Sequence, residues 1–118
     1  MKYLLLIFQN EAARRAVAEN GEAIFAEVDE IMAELRKNGE WVGGEGLAGP
    51  EQVKTVRVRD GVPAVTDGPY GEAKEFLAGY TIVECSRERA VEIAARWPDA
   101  RYARMEVWPL LPHPDESA

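Results

Sequence analysis

Tyr3 to Phe8 is apolar at every position, and this constrains the fold more than any other stretch of the chain. A β-strand turns successive side chains to opposite faces. Tyr3, Leu5 and Ile7 therefore point one way and Leu4, Leu6 and Phe8 the other. Both faces need cover, which predicts a central strand in a sheet. The run is too short to cross a membrane as a helix. Gln9-Asn10-Glu11 follows it without the small residues of a signal-peptide cleavage site, so a strand is expected here and not a leader.

Helix and strand signals alternate after it. Glu11 to Glu19 is rich in Ala, Arg and Glu and predicts a turn or two of helix, interrupted at Asn20-Gly21. The main helix is expected over 22–37, with Ile24, Val28, Ile31 and Leu35 on one stripe that Phe25 and Met32 widen. Asn38-Gly39 is a good left-handed stop. Residues 41–47 read as a strand weakened by Gly43, Gly44 and Gly46, glycines that mark a bulge or a close backbone approach. Residues 54–59 alternate Val56 and Val58 against Arg57 and Arg59, and Asp60-Gly61 is a strong hairpin signal. A helical turn over 71–76 and a strand over 77–85 come next, the strand setting Tyr80, Ile82 and Glu84 against Thr81, Val83 and Cys85. Ser86 caps a second helix by residue type, with Ala90, Val91, Ala94 and Ala95 as its apolar face and Pro98 as its stop. Residues 101–108 form the last strand.

This order predicts an α+β sandwich with helices layered on one face of an antiparallel sheet. Helices on one face leave the other side of the first strand bare. A second copy of the chain is the economical cover, and the alternative is residues 40–66 folded across it. One domain over 1–110 is expected, with 111–118 as a tail.

Charge removes whole function classes. Fourteen Lys and Arg against twenty-one Asp and Glu give a net charge of −7. That argues against direct nucleic-acid binding and against an anionic membrane surface. Cys85 is the sole cysteine, which suits a reducing cytoplasm and excludes an intramolecular disulfide.

Polar chemistry concentrates in Thr66-Asp67-Gly68-Pro69-Tyr70-Gly71-Glu72-Ala73-Lys74-Glu75. Asp-Gly-Pro is turn chemistry, and three carboxylates and an amine sit around it. The functional reading is a small-molecule pocket formed by Asp67, Gly68, Pro69, Tyr70, Glu72, Lys74 and Glu75, with Glu45, Arg57 and Tyr80 contributing from neighbouring strands. Asp67 or Glu72 is the candidate for cofactor-independent acid–base catalysis. The plainer alternative makes Asp67 a turn cap and the other charges local surface pairs. Arg57 and Arg59 suit a carboxylate or phosphate, or simply a solvated strand face. Gly43-Gly44-Glu45-Gly46 lacks the Lys-Ser/Thr of a phosphate loop. Cys85 reads as a plain buried cysteine, since no core histidine can serve as its base. His113, the single histidine, lies between two prolines, and no ligand spacing indicates a metal site.

The 66–75 stretch resembles the signature of the DGPF proteins in the YCII-related group, with Tyr70 where that family usually has phenylalanine. Met1-Lys2-Tyr3 and its strand, Gly43 to Leu47, Thr55 to Gly61, and Gly79-Tyr80 are similar in order and spacing. The resemblance implies a ferredoxin-like protomer that pairs into a dimeric α+β barrel. Some relatives occur beside sigma-factor-like regulators, which makes such a regulator a candidate partner. YCII-type relatives carry a His-Asp pair regarded as an active site. The position of His113 keeps that mechanism from carrying over.

Overall fold

The computed structural model describes residues 1–69 and 74–113. Tyr70, Gly71, Glu72 and Ala73, and with them most of the helical turn expected over 71–76, lie outside the described residues. So do residues 114–118. The elements are β1 (Lys2–Gln9), α1 (Glu11–Lys37), β2 (Trp41–Gly46), a short 3-10 helix (Pro50–Gln52), β3 (Lys54–Arg59), β4 (Val62–Asp67), β5 (Phe76–Glu84), α2 (Arg87–Arg96), α3 (Asp99–Tyr102) and β6 (Arg104–Pro109).

Four strands form one antiparallel sheet in the order β2-β5-β1-β6, and both long helices pack on one face. This α+β arrangement is compatible with a ferredoxin-like sandwich. β1 is interior, as its composition predicts: Leu4 pairs with Ile82 on one side and Trp108 on the other. Tyr3, Leu5 and Val83 face the helices and are buried with Ile31, Leu35, Ala90, Ile93 and Trp97.

The interruption expected at Asn20-Gly21 is present as a kink. α1 runs continuously from Glu11 to Lys37, but Asn20 leaves helical geometry at φ −135° and ψ 32°. The helix starts at Asn10, whose Oδ1 accepts from the Ala13 amide at 2.8 Å. Gly39 has φ 69° and closes the C-terminal end. Phe25, expected on the apolar stripe, is 59% exposed instead, and Ile24, Ile31 and Leu35 carry the burial.

α2 is capped as expected, with Ser86 Oγ accepting from the Arg89 amide. Its buried face is Ala90, Ile93 and Ala94, while Val91 and Ala95 are exposed. A stripe drawn through four small residues missed Ile93, which lies one turn beyond Ala90 and fills the core. The segment after Pro98 is also not directly strand: α3 occupies Asp99–Tyr102, and β6 starts at Arg104. At the other end of the chain's midsection, Phe76 opens β5 and does not close a helical turn.

Charge locks α2 to the α1–β2 junction. The Arg89 guanidinium donates to Glu34 at 2.7 Å, to Glu40 at 2.9 Å and to Glu92 at 2.7 Å, and Arg96 donates to Glu34 at 2.7 Å. Hydrogen bonds from Arg96, then from Arg89, hold the Glu34 carboxyl down at about 2. Cys85 is half-buried at the edge of the core, and burial pushes its thiol up, away from a reactive thiolate.

β3 and β4 form a separate two-stranded hairpin. Its turn has Asp60 at φ 51° and Gly61 at φ 78°, the paired left-handed geometry of a two-residue hairpin loop. Val56 pairs with Val65 and Val58 with Pro63, so one side of the arm is apolar, and these residues are exposed. Among the described residues the arm has no extensive packing against another element. The radius of gyration, 16.5 Å, exceeds the roughly 13–14 Å of a compact chain this long.

At the sheet edge, β2 shifts register against β5 between Trp41 and Gly43. A Cβ on Gly44 would stand 2.6 Å from the Tyr80 carbonyl oxygen and 3.1 Å from the Trp41 ring, whereas one on Gly43 meets nothing within 4 Å. The neighbour at Gly44 is backbone and cannot move aside. Gly44→Ala is expected to cost about 1–3 kcal/mol, and Gly43→Ala to stay within about 0.5 kcal/mol, as measured by urea unfolding.

Candidate functional site

The Asp-Gly-Pro turn is built into the base of the hairpin. The Gly68 amide donates to the Val53 carbonyl at 2.7 Å, and Thr55 Oγ1 donates to the Gly68 carbonyl at 2.7 Å. Gly68 has φ 81°, a left-handed conformation that favours glycine. Asp67 is exposed and pairs with Lys54 across the hairpin. Arg57 lies on the exposed arm, and Lys74 is exposed.

Glu75 is directed elsewhere. It pairs with Arg104, which also donates to Glu106 at 3.0 Å and lies 3.8 Å over the Phe8 ring. Trp108 Nε1 donates to Glu106 at 2.9 Å. Hydrogen bonds from Trp108, then Arg104, keep Glu106 ionised below the usual carboxylate range. Asp67 and Glu75 thus engage partners on different elements. Glu72 and Tyr70 lie outside the described residues.

A better-formed hollow lies between α1 and the β2–β5 edge of the sheet. It has a volume of about 330 Å³. Its walls include Phe25, Val28, Met32, Trp41, Trp97 and Ile7, and its polar groups include Gln9, Thr81 and Asp99. Glu45 and Tyr80, paired across β2 and β5, also border it. Of the residues in the sequence reading, Glu45 and Tyr80 therefore border this hollow along their strands, with side chains that alternation turns to the other face beside Leu6.

Asp99 is the titratable group of interest here. Gln9 Nε2 donates to Asp99 Oδ1 at 3.2 Å, and Asn10 Nδ2 donates to the Tyr102 carbonyl at 2.7 Å. Two side chains at the β1–α1 junction therefore fasten α3 in place. Burial raises the Asp99 carboxyl above its ordinary value, with the Gln9 hydrogen bond opposing. The Arg101 guanidinium, two residues on, is taken up by Glu27 at 3.0 and 3.1 Å.

Sequence reading missed Asp99, Gln9 and Asn10. The available signals were Asn10 directly before a helix-forming run and Asp99 directly after Pro98, where proline and an acid together start a helical turn. Among the described residues no group of three His, Cys, Asp or Glu is placed to hold a metal ion. None of the described helices is long and apolar enough to cross a membrane.

The sequence matches the YCII-related domain over residues 1–112. The chain belongs to the YCII-related family. The match spans every element from β1 to β6, so the hollow, the hairpin and the 66–75 stretch all lie within the YCII-related domain. No curated protein matches the chain. In this YCII-related protein the hollow contains an acid but no histidine, as His113 borders a different depression with Met1, Val42 and Leu111.

Raised by burial, Asp99 favours the folded state most when protonated. Its contribution is complete below the unfolded carboxylate value and is lost as pH rises through the folded one. Asp99→Asn removes this loss while keeping an acceptor for Gln9. It is expected to raise the melting temperature near about pH 7 and to leave it unchanged near about pH 3, read by calorimetry at both values.

Proposed function

We propose that this YCII-related protein binds a small organic molecule in the hollow between α1 and the β2–β5 edge. One observation carries the reading. A single concave space of about 330 Å³ gathers aromatic and thioether walls around a polar pair, Gln9 and Asp99. Small-molecule sites have this composition: mostly apolar lining with a few placed polar groups. The Asp67–Glu75 stretch supports binding less well, because Asp67 is exposed and tied to Lys54, while Glu75 is tied to Arg104. Acid–base chemistry is the second reading. The group that favours it is Asp99, a carboxyl raised by burial and facing a cavity, the setting in which such groups act as acids or bases. A regulatory role beside a sigma-factor-like partner rests on resemblance alone.

The reading includes a homodimer formed through the open sheet face. Leu4, Leu6 and Phe8 are half-buried on that face, and Trp108 is 54% exposed beside them. The hairpin that was the alternative cover does not pack there. Four strands about 4.8 Å apart and about six residues long project to roughly 400 Å². Side-chain relief enlarges that area, and the apolar side of the hairpin adds to it. The sum is on the scale of the ~800 Å² that each partner buries in a stable complex.

Val28 lines the hollow and is half-buried. Val28→Phe is expected to fill the space, to shift stability by no more than about 1–3 kcal/mol, and to abolish the fragment-induced amide shifts that the parent protein shows at Trp41, Trp97 and Thr81 in NMR. Retained shifts in the filled variant would place the ligand elsewhere. Light scattering at micromolar concentration is expected to give twice the chain mass of 13.1 kDa. Trp108→Glu, which sets a charge on the open face, is expected to return the mass to that of one chain.

A further inference from the structure

The hollow has a charge pattern that its proposed role does not by itself explain. Asp99 is its charged group on the helix side of the sheet, since strand alternation turns the Glu45 side chain to the other face, and among the described residues no lysine, arginine or histidine lines it. Asp99 is half-buried, and its side-chain hydrogen-bond partner among the described residues is a neutral amide, that of Gln9. The nearby Arg101 cation is directed to Glu27. A buried carboxylate that lacks a cationic partner is costly, and a ligand that brings a positive charge relieves the cost.

The aromatic surroundings point the same way. Phe25, Trp41 and Trp97 border the space, and aromatic faces attract organic cations through their negative quadrupole. The chain as a whole carries −7, which raises the local concentration of cations over anions. The opposite charge is found next door. A second hollow of about 370 Å³ adjoins the first and shares Gln9, Phe25 and Ala78 with it, and its wall includes Arg14. Arg14 is stacked 4.5 Å over Phe76 and lies 3.8 Å from Glu51. The acid and the base therefore line different hollows.

We propose that the ligand of the hollow between α1 and the β2–β5 edge is an organic amine with an apolar or aromatic body, its ammonium group directed to Asp99. This assignment rests on the hollow being the binding site, and the experiment separates the two. Phenethylamine, phenethyl alcohol and phenylacetate have nearly the same shape and differ in charge. Each is titrated into the full-length protein and into Asp99→Asn, near about pH 7, by calorimetry and by NMR.

The amine is expected to bind about tenfold more tightly than the alcohol, as a charge-assisted hydrogen bond requires, and the carboxylate more weakly than either. In Asp99→Asn the amine is expected to lose its advantage over the alcohol. Amide spectra that match the parent protein's away from the hollow show that the variant is folded. If the alcohol or the carboxylate binds as tightly as the amine, or the amine is indifferent to Asp99→Asn, the amine assignment is overturned and the hollow remains the site. If none of the three shifts residues of the hollow, both readings are overturned.

Discussion

The four-stranded sheet and the helices packed on it depend on the position of β1. Like β5 it has a hydrogen-bonded neighbour on each side, and it is apolar at every position from Tyr3 to Phe8. A strand of this kind fixes its neighbours' register, because a slip of one residue would turn Tyr3 and Leu5 out of the core. With those two residues held, α1 has one stripe to present and α2 has one gap to fill with Ile93. The end of the same strand supplies Gln9 and Asn10, which anchor α3. The core and the candidate site therefore share one support.

Much of this was legible in the sequence wherever a periodic pattern and a stop signal agreed. The six-residue apolar run, the Ile24-to-Leu35 stripe, the Asp60-Gly61 turn and the Ser86 cap each combined the two, and each formed as expected. The misses had the opposite character. α3 is four residues long, too short for any period to register. Phe25 matches the stripe by spacing, but the wall of a hollow replaces the packed neighbour that would have buried it. Val91 and Ala95 were assigned to the apolar face by residue type, although the direction of α2 is set by Arg89 and its carboxylates as much as by its alanines.

The candidate site was less legible for a related reason. Sequence reading weights density of charge, and the 66–75 stretch is dense. In three dimensions two of those charges are spent, Asp67 on Lys54 across a hairpin and Glu75 on Arg104. The group with unspent chemistry is Asp99, isolated among Trp97, Pro98 and Ala100 in the sequence. Its importance comes from Gln9, ninety positions away, and from the aromatic walls around it. Family membership places the whole arrangement within one YCII-related domain without choosing between the two locations.

The pairing of β1 also sets the order in which this molecule can be made. Leu4 must meet Ile82 and Trp108, residues synthesised long after it. Until β5 and β6 emerge, the earliest segment of the chain is a bare apolar strand with two open edges, the form most prone to pair wrongly. α1 can form locally meanwhile, but it has no sheet to rest on. Closure is therefore a late event dominated by distant contacts, which makes for slow folding. β1 therefore has to stay covered until β5 and β6 have been made.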